Sequence, residues 1–126
     1  SLGGIFCAQV IEHLTTNQLI ELLKLAHKKL QDGGKILLET LNPQCLMIYA
    51  ECFYLDPSHT KPVHPLAVQF IAECQGFSSN EILYMTPSDQ RLIIPNIPEK
   101  PEFDEPVNTI NNLIFGNREY ALIATK

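Results

Sequence analysis

Apolar positions along the chain follow two rhythms. Gly4-Ile5-Phe6-Cys7-Ala8-Gln9-Val10 is a short, nearly unbroken apolar run, the pattern of a strand buried on both faces of a parallel sheet. From Leu19 the spacing changes. Leu19, Leu22, Leu23, Ala26 and Leu30 recur at helical intervals, with Glu21, Lys24 and Lys28 opposite. Thr15 and Gln18 stand ahead of them at the spacing of a capping box, in which the hydroxyl accepts from an early amide and the glutamine reaches back. Asp32-Gly33-Gly34 is the expected helix stop, and Lys35-Ile36-Leu37-Leu38-Glu39-Thr40 the next buried strand. Strand, helix, glycine turn and strand in this span predict a right-handed βαβ unit with parallel strands.

Asn42-Pro43 breaks the second strand. Residues 44–54 are expected to be helical, and a turn-rich stretch extends from Asp56 to Pro65. Pro65 suits a first helical position, so a helix is predicted over 66–75, with Val68, Ile71, Ala72 and Cys74 turned inward and Gly76 as its end. Glu81–Met85 is a third strand candidate. Residues 87–106 hold Pro87, Pro95, Pro98, Pro101 and Pro106 among acidic side chains, which predicts an exposed connection. A short helix over 107–115, closed by Gly116, and a buried strand over 120–125 complete the chain, with no internal repeat. A strand like Gly4–Val10 needs a neighbour on each side, and only one can come from the residues after it. An open sheet edge is therefore expected there, a surface through which two copies could pair as a homodimer.

Composition narrows the partners. At 126 residues one domain is expected, and 45% hydrophobic with 18% charged residues is ample for a core. The net charge of −5, without any dense basic cluster, argues against nucleic acid or an anionic membrane. No apolar run reaches bilayer-spanning length, and Ser1-Leu2-Gly3-Gly4 lacks the basic start of a signal peptide. Cys7, Cys45, Cys52 and Cys74 form no CxxC pair and no zinc-type spacing; Cys7 and Cys74 read as small core hydrophobes, and a cytoplasmic location with reduced thiols is expected.

Several local motifs carry a family resemblance. Gln9-Val10-Ile11-Glu12-His13-Leu14, with Leu30-Gln31-Asp32-Gly33-Gly34-Lys35 after it, resembles the fourth strand, helix and turn of class I S-adenosylmethionine (SAM)-dependent methyltransferases. Asn42-Pro43, Tyr54-Leu55-Asp56-Pro57-Ser58-His59, Pro62, His64-Pro65, Asn111-Asn112-Leu113-Ile114-Phe115-Gly116 and Tyr120-Ala121 resemble a bacterial subgroup acting on glycans and lipopolysaccharide O-antigens. The resemblance implies an α/β fold, the C-terminal half of a Rossmann-like doubly wound sheet with its last strand antiparallel and its N-terminal half absent. All 126 residues would then be the C-terminal part of one methyltransferase domain. The family's glycine-rich loop, whose bare backbone lets the ligand approach a helix N-terminus, precedes the fourth strand; Gly3-Gly4 has no strand before it and Gly33-Gly34 leads into a strand. Poor SAM binding by this stretch alone is the expectation.

The resemblance implies roles for the end of the first strand, and residue chemistry suggests others. Gln9, Val10, Glu12 and His13, at the carboxyl end where open α/β sheets place ligands, would flank SAM; Glu12 could equally order the next helix. His59 is the candidate base for the acceptor's proton, with Asp56 orienting it, although Asp-Pro-Ser-His also makes a rigid turn by itself. Asn42 and His64 are candidate substrate contacts; a turn for Asn42 and a helix cap for His64 are the structural alternatives. Asp56, His59 and His64 have the donor types of a metal site, but their spacing does not show convergence and no metal is assigned. The function implied is methyl transfer from SAM to an oxygen or nitrogen acceptor on a small molecule, sugar or glycan. The alternative is a non-catalytic module pairing through its open edge.

Overall fold

The computed structural model describes all 126 residues. Strand β1 (Leu2–Ala8) and strand β2 (Leu30–Leu41) flank helix α1 (Thr16–Lys29) and pair in parallel, with Ile5 opposite Ile36 and Phe6 opposite Leu37. After β2 come helix α2 (Met47–Glu51), helix α3 (Pro65–Cys74), strand β3 (Ser79–Pro87), helix α4 (Asp104–Ile114) and strand β4 (Asn117–Thr125). The sheet order is β1-β2-β4-β3, and β4 inserts antiparallel to both neighbours. The predicted parallel βαβ unit and antiparallel last strand are both present.

Helix α1 starts where the capping box places it. The Gln18 amide donates to the Thr15 hydroxyl at 3.3 Å, and the Thr15 amide donates to the Gln18 side chain at 2.9 Å. Its buried stripe of Leu19, Leu23 and Ala26 joins Val68 and Ala72 of α3 over one face of the sheet, against Ile36 and Leu38 of β2 and Tyr120, Leu122 and Ala124 of β4. Period-two alternation supplies these strand positions. A second, smaller cluster of Cys45, Ile48 and Phe53 lies beyond the end of β2.

Five expectations need correction. The glycine pair does not end α1; Leu30 does, by turning extended directly into β2, and Gly33, at φ +76°, sits instead in the irregular start of the β1–β2 pairing. Strand β1, at the edge of this sheet, is not covered on both faces: Ile5 and Cys7 pack on the core, whereas Phe6, on the opposite face, is 64% exposed. Residues 44–54 hold only the short α2 and the beginning of a 3-10 turn, Phe53–Leu55. Cys74 is exposed and Cys45 is the buried thiol. The final helix begins earlier than expected, at Asp104, inside the proline-rich stretch. That stretch is mostly exposed, yet Asn111 ties it down by donating to and accepting from the Ile94 backbone at 2.8 and 2.9 Å. No helix is long and apolar enough to cross a membrane.

Candidate functional site

Parallel pairing brings the carboxyl ends of β1 and β2 to one rim. After β1 the chain reverses through Gln9, at φ +55°, into a 3-10 turn over Ile11–His13. After β2 it runs through α2 and then returns, and three bonds fasten the returning loop to that turn and to the sheet. The Thr60 amide donates to the Glu12 carbonyl at 2.8 Å, and the Thr60 hydroxyl lies 2.8 Å from the Leu14 carbonyl. The Tyr120 hydroxyl donates to the Val63 carbonyl at 2.6 Å. Glu12-His13 and Asp56–His59, far apart in sequence, are thereby placed side by side.

Their geometry is specific. Glu12 is 1% exposed; its Oε2 accepts from the Thr40 hydroxyl at 2.8 Å, while its Oε1 is buried with no hydrogen-bond partner. The His13 and His59 rings meet edge to face with centroids 4.7 Å apart, and Phe53 packs on the His59 ring at 4.8 Å. One Glu12 oxygen and one ring nitrogen from each histidine all lie within 4.8 Å of one another. Asp56 Oδ2 stands 3.7 Å from His59 Nε2 and 4.0 Å from His13 Nε2.

Hydrogen bonding defines both tautomers. His59 Nδ1 lies 2.5 Å from the Phe53 carbonyl, which can only accept, so Nδ1 carries the proton. The single hydroxyl proton of Ser58 goes to Asp56 Oδ1 at 2.5 Å, so toward His13 Nδ1, at 2.9 Å, Ser58 accepts. Each neutral ring therefore keeps its lone pair on Nε2. Hydrogen bonds from the Ser58 side chain and amide hold the exposed Asp56 carboxyl below the usual carboxylate range.

Neither a protein-family model nor a curated protein matches the sequence. Solved structures do. A SAM-dependent methyltransferase from Archaeoglobus fulgidus matches at 32% identity and a TM-score of 0.92, over 99% of this chain and 59% of that one. The fold is that of a class I SAM-dependent methyltransferase. A phosphoethanolamine N-methyltransferase 2 from Haemonchus contortus, crystallised with SAM, shares the methyltransferase fold at 15% identity and a TM-score of 0.63, over 100% of this chain and 33% of that one. The chain thus spans less than two thirds of the archaeal methyltransferase and about a third of the Haemonchus contortus one.

Within this methyltransferase fold, the rim gathers Glu12, His13, Asp56 and His59 from the residues singled out in the sequence. Glu12 faces inward, toward Thr40 and the two histidines. Gln9 and Val10 are exposed at the end of β1, where the Gln9 side chain donates through Nε2 to the Glu119 carboxylate at 3.3 Å. Two candidates stand apart. His64 caps α3, its Nδ1 accepting from the Leu66 amide at 3.2 Å. Asn42 is buried in the turn after β2, donating to the Asn117 carbonyl at 2.9 Å and accepting from the Gln44 amide at 3.1 Å. Asp56 faces the Nε2 of His59 and does not back its Nδ1; the Phe53 carbonyl holds that position. Thr40, Ser58 and the Phe53 carbonyl carry no role in the sequence reading. Only Ser58, inside Asp-Pro-Ser-His, had a local signal.

Proposed function

We propose that the complete protein transfers a methyl group from SAM to an oxygen or nitrogen acceptor, on a sugar or glycan. The observation carrying this reading is the near-complete superposition on the archaeal methyltransferase at 32% identity. The glycan preference rests on the Tyr54–His59, His64-Pro65 and Asn111–Gly116 motifs, which resemble the glycan and O-antigen subgroup. In this reading the 126 residues are the C-terminal part of the methyltransferase domain, SAM lies against Gln9, Val10 and the Glu12-His13 turn, and the glycine-rich cradle belongs to sequence preceding β1. Asn42 and His64, tied up in a turn and a cap, would act on the substrate side only by shaping the loops around it.

Transfer forms the bond from acceptor oxygen or nitrogen to the methyl carbon as the sulfonium S–CH3 bond breaks. S-adenosylhomocysteine leaves, and the acceptor's proton is lost. Alignment supplies much of the rate, and removal of the proton supplies the rest. His59 carries that acceptor-directed chemistry through its Nε2 lone pair, beside the Asp56 carboxylate. Radiolabelled SAM and a panel of sugars bearing free hydroxyls or amines test the reading in the complete protein. Methylated sugar is expected, and His59→Ala is expected to lower kcat by about 100-fold or more with SAM affinity unchanged. Turnover untouched by His59→Ala removes it from the site, and absence of SAM binding overturns the function.

One observation favours a second reading, pairing through the sheet edge. β1 is bonded on one side only, and Leu2 and Phe6 along it are 50% and 64% exposed. This polypeptide alone is expected to run as a dimer in light scattering. A strict monomer at high concentration removes that reading.

A further inference from the structure

One carboxylate and two imidazoles converge at the rim, with no hydrogen-bond donor on the carboxylate's second oxygen. Glu12 Oε1 is buried and unpartnered, since the only hydroxyl bonded to that carboxylate, Thr40, donates to Oε2. His59 Nε2 is a bare acceptor because its Nδ1–H is committed to the Phe53 carbonyl, and His13 Nε2 is another because its Nδ1–H is committed to Ser58. Carboxylate and ring nitrogens lie within 4.8 Å of each other. A buried polar atom without a partner costs roughly 1–3 kcal/mol, more when charged. A cation among them removes that penalty and takes up a lone pair from each ring.

We propose that Glu12, His13 and His59 bind one divalent transition cation. Two imidazoles with one carboxylate suit manganese, iron, cobalt or zinc, whereas magnesium and calcium favour all-oxygen shells. Metal-ligating histidines characteristically donate their other ring nitrogen to a carbonyl or another oxygen, as Nδ1 of both rings does here. Donors bound at about 2.1 Å to one ion stand roughly 3.0–3.4 Å apart. From separations of up to 4.8 Å, side-chain rotation has to close at most about 1.8 Å. Three protein ligands leave coordination positions open, and Asp56 Oδ2, within 4.0 Å of both Nε2 atoms, stands beside them as a carboxylate for a bound water or an acceptor hydroxyl.

The donor set stands on hydrogen bonding alone. Its role rests on the methyltransferase reading, which it deepens: His59 would act on the acceptor through the cation. An acceptor hydroxyl bound at an open position loses its proton more easily, passing it to Asp56, and its oxygen then takes the methyl carbon as the S–CH3 bond breaks.

The test uses the complete, untagged protein stripped with a chelator. Manganese titration followed by electron paramagnetic resonance is expected to show one tightly bound ion per chain, and cobalt a visible d–d band shifted by nitrogen ligation. His13→Asn and His59→Asn are each expected to weaken manganese binding by about 10-fold or more. His13 ends a 3-10 turn and His59 lies in a loop, so these variants keep the test open where Glu12→Gln disturbs the interior. Absence of stoichiometric binding, or affinity unchanged in the His13→Asn/His59→Asn double variant, overturns the site. SAM affinity is measured in parallel before and after stripping. Absence of SAM binding in both states would count against the methyltransferase reading, whereas loss of metal binding alone counts only against the cation.

Discussion

Thr40→Val separates the buried hydroxyl from its bulk. Thr40 is fully buried and its hydroxyl is the sole side-chain donor to the Glu12 carboxylate, at 2.8 Å, while Glu12 itself is 1% exposed. Valine fills nearly the same volume, so the substitution deletes a hydrogen bond without opening a cavity. Hydrogen bonds to charged groups contribute about 1.5–3 kcal/mol, and water cannot reach Glu12 to replace the lost donor, so the upper half of that range, about 2–3 kcal/mol, is expected. Thr40→Ser is the control. It keeps the hydroxyl and removes one methyl, costing about 1 kcal/mol. Urea unfolding of the two variants in the complete protein reads the difference. With slopes of about 1–3 kcal/mol per molar urea, the midpoint of Thr40→Val should fall by about 1 M or more at constant slope. A valine variant no less stable than the serine variant would refute a stabilising Thr40–Glu12 hydrogen bond.

Tyr120 should resist alkaline titration. Burial, with the Glu12 charge and Tyr84 adding to it, pushes its hydroxyl above the ordinary tyrosine range. A raised folded-state value means the stabilisation is whole below about pH 10 and is lost as pH climbs past it, because only the unfolded chain releases the proton. Absorbance of phenolate should therefore lag for one of the four tyrosines until unfolding, and Tyr120→Phe should flatten the loss of stability above pH 10; parallel slopes in both proteins would contradict this. The two adjacent glycines should differ. A Cβ on Gly34 would meet the Gln31 carbonyl at 2.8 Å and the Gly3 carbonyl at 3.2 Å, so Gly34→Ala should cost about 1–3 kcal/mol. Gly33→Ala meets open space and only the left-handed backbone penalty of about 1 kcal/mol; thermal unfolding of equal size for the two would refute the contact.

Much of the fold was legible because its signals are local. The Thr15–Gln18 box, the Leu19–Leu30 stripe and Pro65 at the start of α3 act within a few residues, and each stands where its chemistry places it. Misreadings arose where a distant partner decides. Gly33 and Gly34 look like a helix stop, but their backbone is claimed by the end of the chain: the Gly33 amide donates to the Lys126 carbonyl and the Lys126 amide to the Gly34 carbonyl. Cys74 lies among apolar neighbours in sequence yet on the outer side of α3. At the rim, sequence proximity grouped Asp56 and His59 with His64, which is drawn away to cap α3. Their actual companion is Glu12-His13, brought in by Thr60, and no period or spacing encodes that bond.

The two halves of the cluster are held with unequal stiffness, and this makes its closure directional. Antiparallel β4 begins at the rim where β2 ends, with Tyr120 opposite Thr40 and Glu119 opposite Leu41. Glu12 therefore rests on a floor of interior strand side chains, Thr40 beneath its carboxylate and Tyr120 nearby. Asp56, Pro57 and Ser58 are exposed and are held mainly by bonds among themselves and to His13. Drawing the donors together around one ion should thus move the 56–60 loop toward Glu12 and leave the floor in place. Hydrogen exchange on the complete protein, stripped and then saturated with manganese, should slow chiefly in 56–60, with β2 and the start of β4 unchanged. Slowing confined to β2 and β4, with 56–60 unaffected while manganese binds, would mean that the ion sits elsewhere and that the bare Nε2 atoms are not its ligands.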